Sequence, residues 1–390
     1  MPGVYTLFHS ECPSCRRPYF VHFPIGFAGD SNLVLDPQSG RAHTESANRW
    51  YADNLEAAWR QRSADPVRLT RTNLRPLRKP LLVDAIDYLF GHCLQHLFDL
   101  PRLIRKYPDR DIVVLVQDFA RWLVLDGVAE IWSVDIPLRK GRLWHDDLAR
   151  QIDELVAELP SSEIGGDIGQ DAPDIERFTR TAPFDLLSAA ALERRRLTLV
   201  WRNDRCWTLD PARRTGEAAI AEQLGLMTAL AEALRQAMPG IEIAVAGMGR
   251  EGQFPDWIED RRTPAGEAID EMGWLRLYRT SHVVLGVHGS NMLLPASHAA
   301  TTIELVPLGK WQNTSDGYDF VRRRDHLRVL REFRFLPMSI PIVELAGVVQ
   351  VMIRLARVEA FREQWKLLPD EDTRRRFRQR YGSVYTYPQL

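Results

Sequence analysis

An apolar run at residues 283–287 leads through the small polar turn His288-Gly289-Ser290-Asn291 and the segment 292–294 into a second, β-branched run at 301–306. No other stretch constrains the fold as much. Two neighbouring apolar runs joined by a short helix read as parallel strands buried on both faces. Residues 288–291 then lie where strand hands over to helix, a place where backbone N–H groups can face an anion, most often a phosphate. The turn has neither the Gly-x-Gly-x-x-Gly spacing of a dinucleotide fingerprint nor the Gly-Lys-Ser/Thr of a P-loop. Alone it indicates an anion site and nothing finer.

The same alternation runs through most of the chain. Apolar segments at 81–88, 111–116, 130–136, 197–201 and 241–246 are separated by segments of helical period at 91–103, 119–128, 144–159, 216–238 and 267–280. Ahead of them, residues 4–8, 19–23 and 32–36 read as short strands and 49–62 as an amphipathic helix. Residues 71–79 read as a basic, Pro-punctuated connection, 247–262 as a polar Gly-broken one, and 321–326 as a basic loop. A strand near 329–335 and helices at 341–367 and 372–381 complete the chain. No internal repeat is apparent.

The expected fold class is α/β, with two Rossmann-like domains facing each other across a ligand cleft and a small β-rich lead-in. The Gly-, Ser- and Asp-rich stretch 161–173 marks the boundary. The domains are expected at 1–175 (acceptor side, with the lead-in) and 185–340 (nucleotide side), with 341–390 as helices packing across both. A length of 390 residues suits two cores better than one. A net charge of −1 argues against nucleic-acid or membrane-surface binding driven by overall charge. With no signal-peptide pattern and no run of about 18 apolar residues, a cytoplasmic protein without a transmembrane segment is expected.

Two clusters carry candidate chemistry. Arg202-Asn203-Asp204-Arg205 directly follows the strand ending at Trp201, at the carboxyl end where parallel sheets bind ligands. Its two guanidiniums suit a diphosphate, although a solvated charged turn is an equally good reading. His288, Gly289, Ser290 and Asn291 would reach the same group, and Glu304 in the following strand could accept from a sugar hydroxyl or pair with an arginine. Cys12-Pro13-Ser14-Cys15 has the spacing of half a zinc knuckle or of a redox pair. His9 could add a third ligand, but no second pair follows, so a structural turn is favoured and no metal is assigned.

The order Arg202-Asn-Asp-Arg205, one more βα unit, Val-His288-Gly289-Ser290-Asn291-Met-Leu-Leu-Pro295 and Thr302-Ile-Glu304-Leu resembles glycosyltransferase family 61. The likeness is clearest over residues 197–307 and extends weakly to Gly91-His92 and Leu100-Pro101-Arg102. Ser290 stands where the family has a small Ala, and the interval from His92 to Pro101 is longer than the family's.

The resemblance implies a GT-B fold and a metal-independent, inverting hexosyl- or pentosyltransferase. No cofactor is implied beyond a nucleotide-sugar donor as co-substrate. Arg202, Arg205 and residues 288–291 would hold the donor diphosphate, with Glu304 near the nucleoside. The acceptor would be a hydroxyl on a glycan, a lipid-linked glycan or a small molecule. Inversion also needs a base from the N-terminal domain, for which His92 comes first and His96 and Asp118 are alternatives. An epimerase or a non-catalytic nucleotide sensor would share the architecture.

Overall fold

The computed structural model describes residues 5–23, 25, 31–47, 49–160, 163–165, 174–210, 213–265, 267–314, 332–368 and 370–381. The chain separates into two units, Met1–Asp171 and Ala172–Leu390.

The first unit opens with an antiparallel sheet of β1 (Leu7–Glu11), β2 (Pro18–His22), β3 (Leu33–Asp36) and β4 (Arg41–Thr44), paired in that order. Alternation buries Leu33, Leu35 and Ala42 beneath α1 (Trp50–Arg60), which contributes Ala52 and Leu55. Phe20, Trp59 and Trp144 close this small core, with ring centroids 4.7 to 5.7 Å apart. The strand at Arg41–Thr44 was not expected from sequence, because a four-residue edge strand with alternating polar side chains has too little apolar signal.

The larger sheet of this unit comprises β5 (Leu69–Asn73), β6 (Pro80–Asp84), β7 (Asp111–Gln117), β8 (Glu130–Val134) and β9 (Glu163–Ile164), in the order β5-β8-β7-β6-β9. All its pairings are parallel except the β5 edge. Its helices are α2 (Phe90–Phe98), α3 (Leu100–Lys106) and α4 (Asp146–Glu158). The one helix expected over 91–103 is two, since Asp99 ends α2 and Pro101 sits in the first turn of α3. The helix expected at 119–128 is only a 3-10 turn, Asp118–Leu123, because Val124 is extended and Gly127 adopts φ +104°. Within the expected 161–173 connection, residues 163–164 form β9 and extend the sheet.

The second unit contains α5 (Ile175–Thr179), α6 (Ala189–Glu193), β10 (Arg196–Trp201), α7 (Glu217–Ala237), β11 (Glu242–Met248), β12 (Glu259–Thr263), α8 (Glu271–Tyr278), β13 (Val283–Val287), α9 (Leu293–His298), β14 (Thr301–Val306), β15 (Phe333–Pro337), α10 (Ile342–Leu367) and α11 (Glu371–Tyr381). Its six strands are all parallel, in the order β12-β11-β10-β13-β14-β15. This is the doubly wound Rossmann order, with the direction of winding reversing between β10 and β13. Leu345, Val349, Met352 and Ile353 of α10 and Met227, Leu230 and Leu234 of α7 pack against Leu199, Val245, Leu285 and Ile303 of the sheet.

β12, Glu-Asp-Arg-Arg-Thr, escaped the sequence reading because its inward-facing group is a cation. Arg262 is buried, held by both oxygens of Asp260 at 2.9 and 3.0 Å, and stacks on Trp201 and Phe254. The expected basic segment 321–326 lies outside the described residues. Among the described residues no helix is long and apolar enough to cross a membrane.

Candidate functional site

In the second unit, adjacent strands deliver the two cationic candidates to one place. β10 and β13 pair in parallel from Leu197 with Val283 to Val200 with Gly286, so Arg202 and His288 both emerge past the same sheet edge at the reversal point. Arg202 Nη1 donates to Asn291 Oδ1 at 2.6 Å, and Arg205 Nη1 donates to the His288 carbonyl at 3.2 Å. Gly289 makes this closure possible. It has φ +149°, and a Cβ there would lie 3.1 to 3.2 Å from Arg205 Nη1, Arg202 Nη1 and Asn291 Oδ1. No side chain fits without pushing the guanidiniums apart.

The charges do not balance. Asp204 takes Arg202 as a bidentate partner at 2.8 and 2.9 Å. Arg205 forms no ion pair among the described residues. Burial, reinforced by the neighbouring Arg202, lowers the Arg205 pKa from its ordinary value. Asn291 Nδ2 is also buried with no partner among the described residues. Two cations, one exposed carboxylate and an orphaned amide donor form a locus that an anion would complete.

The turn itself differs from the sequence expectation. The His288 N–H bonds to the Leu305 carbonyl at 3.0 Å, and the Gly289 N–H is directed at the Glu304 carboxylate. Both point into the protein, because β14 lies directly beneath the turn. Ser290 and Asn291 are the turn residues whose N–H groups bond to no described residue. The following helix, Leu293–His298, has only six residues, so its dipole is small and the arginines carry most of the positive potential.

Glu304 is 1% exposed and accepts from His288 Nδ1 at 2.5 Å. Burial raises its pKa, against the opposing bonds from His288 and Gly289. It supports the turn from below, and the side chain it pairs with is His288 rather than the arginine that was one of the two expectations from sequence.

Sequence reasoning passed over Gln223, the side chain that fixes the arginine loop. From the apolar face of α7 its Oε1 accepts the Trp207 N–H at 2.8 Å and its Nε2 donates to the Arg202 carbonyl at 3.0 Å. The signal was a glutamine among alanines and leucines facing a core. Gly247 completes the local constraint, since a Cβ there would sit 2.1 Å from the Trp201 carbonyl oxygen.

In the first unit, His92 and His96 share α2 but not an environment. His96 is buried, and desolvation pulls its pKa down to about 4. Such an imidazole stays neutral and is shut off from solvent. His92 is 24% exposed and its Nδ1 lies 3.1 Å from Asp87 Oδ2. Asp87 is fully buried and rigidly placed: its Oδ1 accepts the Leu89 N–H at 2.8 Å and its own N–H donates to Gln117 Oε1 at 3.2 Å. With Asp87 ionised, Nδ1 must donate, which leaves Nε2 as the proton acceptor. Asp118, after β7, is exposed and lies 3.5 Å from Arg68. Asp87 was missed because it lies five residues before His92, outside the helix, where helical spacing gives no pairing signal.

Two Asp-x-Asp triplets occur, and both are engaged in structure. Asp111 caps the Arg78 and Lys79 N–H groups while Asp109 meets Lys79 Nζ at 3.4 Å. Asp370 caps α11 through Thr373, and Asp372 pairs with Arg375. Among the described residues no cluster of three or more His, Cys, Asp or Glu could hold a metal ion.

No protein-family profile matches the chain, and no curated protein is significantly similar to it. Among solved structures it is similar to spinosyn forosaminyltransferase SpnP at 11% identity, covering 79% of this chain and 96% of that one, with a TM-score of 0.35. For the E. coli heptosyltransferase WaaC with ADP the values are 13%, 72%, 100% and 0.40. For E. coli ADP-heptose lps heptosyltransferase II they are 12%, 74%, 100% and 0.36. Likeness at this level assigns no activity to this chain.

Proposed function

We propose that the protein is a glycosyltransferase of the GT-B kind that resembles family 61, taking a hexosyl or pentosyl group from a nucleotide-diphosphate donor to a hydroxyl acceptor with inversion. The observation that carries this reading is the meeting of Arg202, Arg205 and Asn291 around Gly289 at the β10/β13 reversal point of a Rossmann-ordered sheet. Doubly wound sheets bind nucleotides at this position, and two guanidiniums with a single carboxylate between them suit a diphosphate.

Charge that builds on the departing diphosphate is stabilised by the preorganised Arg202 and Arg205, assisted by the Ser290 and Asn291 N–H groups. That role makes a metal unnecessary, so transfer should continue in excess chelator. On the acceptor side His92, held through Nδ1 by Asp87, is the base that takes the hydroxyl proton at Nε2.

The test begins with a thermal-shift panel of nucleoside diphosphates, in which ligand binding raises the melting temperature by mass action. At least one should stabilise the protein, and Arg202→Ala should remove that effect. The matching nucleotide sugar is then offered with and without acceptor hydroxyls, with inversion read from the product anomer. No response to any diphosphate, or an Arg202→Ala variant that binds as the parent does, would sink the assignment. Consumption of donor without acceptor would instead indicate an epimerase, and binding without turnover a sensor.

A further inference from the structure

The antiparallel lead-in sheet contains the same turn twice, once with thiols and once without. Cys12-Pro13-Ser14-Cys15-Arg16-Arg17 joins β1 to β2, and Asp36-Pro37-Gln38-Ser39-Gly40-Arg41 joins β3 to β4. In the first, the Arg16 N–H donates to the Cys12 carbonyl at 2.9 Å. In the second, the Gly40 N–H donates to the Asp36 carbonyl at 2.8 Å. The fifth residue is left-handed in both, with φ +60° at Arg16 and +66° at Gly40. The two turns differ at the leading side chain: in the second, the Gln38 N–H and Ser39 Oγ donate to the Asp36 carboxylate at 2.9 and 2.8 Å, whereas in the first that position carries a thiol.

The turn brings both free thiols to the tip of one hairpin, Cys12 half-buried and Cys15 exposed. A left-handed fifth position is disfavoured for arginine, so the turn keeps this form despite a local cost. Two sulfurs from one such turn span one edge of a tetrahedron, which is half of a structural zinc site. Among the described residues nothing supplies the other half. Asp36 and Ser39 occupy the matching positions of the second turn, Ser39 Oγ is bonded to Asp36 Oδ2 at 2.8 Å, and Cys93 and Cys206 are buried elsewhere. No group of three ligating residues exists among the described residues.

We propose that the Cys12–Cys15 turn supplies two of four thiolates to a thiophilic divalent cation of the zinc class, and that a second copy of this chain supplies the other two through the same turn. A twofold axis through the metal makes the contact self-complementary. Four thiolates on a divalent ion leave a net charge of −2, and Arg16 and Arg17 of each copy stand beside it to offset that charge. The hairpin also carries the exposed ring pair Phe8 and Phe23, centroids 5.2 Å apart, as apolar surface for the approaching copy.

The test uses the full chain, reduced and stripped of metal, titrated with zinc while light scattering reports molar mass and a colorimetric chelator reports bound metal. One zinc per two chains, with a doubling of mass reversed by chelator, is expected. Cobalt in place of zinc should give the near-ultraviolet thiolate charge-transfer band and intense visible bands of a tetrahedral site. Cys12→Ser and Cys15→Ser should each abolish zinc uptake and the mass change, whereas Asp36→Asn should alter neither. Zinc bound one per chain at unchanged mass would overturn the shared site, and no uptake, or uptake that survives both cysteine variants, would overturn the site itself.

Discussion

Each unit holds a histidine whose Nδ1 meets a buried carboxylate just beyond the end of a central parallel strand, yet the two pairs differ in what surrounds them. His92 and Asp87 follow β6, whereas His288 follows β13 and takes Glu304 from within β14. The His92 side chain is 24% exposed and that of His288 only 7%. Asp87 is held by a backbone N–H and a glutamine, so its histidine keeps one face toward solvent. Glu304 lies beneath its turn and bonds to His288, so it braces a turn that the two arginines cap from outside. Under the proposed function the same two functional groups serve as a base in the first unit and as a strut in the second. Burial, rather than residue type, decides which.

The contrast can be broken in four ways. Under the proposed function, His92→Ala should lower the transfer rate by about 10²- to 10⁴-fold, the usual worth of a general base. His96→Ala and Asp118→Ala should leave it within a few-fold, and equal losses from all three would remove the distinction drawn for His92. Glu304→Ala should instead be read in stability. Breaking a buried pair from one side costs about 3–5 kcal/mol, to be measured as a lower denaturation midpoint. A Glu304→Ala protein of parental stability would mean that the His288 pair is not a strut.

A third change tests the cation side of the second unit. Charge-assisted hydrogen bonds are worth about 1.5–3 kcal/mol each. Arg202→Ala should therefore reduce kcat by about ten- to a hundredfold, with the loss shrinking if Asp204 is neutralised in the same protein. An unchanged rate would place the diphosphate elsewhere.

A fourth change, read as a pH dependence, concerns Asp84, at the end of β6 near the His92 pair, whose pKa burial raises from 3.8 to about 7. Between those values the unfolded chain has released the proton while the fold retains it. Asp84 therefore contributes stability that is fully present below about pH 4 and is lost as pH rises to about 7. Relative to Asp84→Asn, the parent should lose stability across that window and run parallel to it outside. Denaturant midpoints at pH 4.5, 6 and 7.5 measure this, and parallel curves throughout would contradict it.

Much of the fold was legible because parallel strands buried on both faces must be apolar runs, and residues 283–287 and 301–306 could be little else. The strands that escaped, β4, β5, β9 and β12, are edge strands whose signal is diluted by short length or exposed polar side chains or, in β12, by a buried Arg262 that packs as a flat hydrophobic plate. Among candidate residues, Arg202, Arg205 and the 288–291 turn could be named in advance because each directly follows an apolar run. Asp87, Gln117 and Gln223 could not, since their partners come from other elements and no local spacing marks them.

The sequence by itself determined the α/β class and that guanidiniums and a Gly-Ser-Asn turn would stand at strand ends, because strand and turn propensities are local. Only the tertiary structure decided that β10 and β13 are neighbours at the winding reversal, so that Arg202 meets Asn291, 89 residues later, across one hydrogen-bonded pair of strands. It also decided that Glu304 pairs with His288, that His96 is buried in the core while His92 is partly exposed, and that Cys12 and Asp36 head matching turns. These outcomes depend on which chain segments exclude water from one another, and desolvation is set by the packed whole.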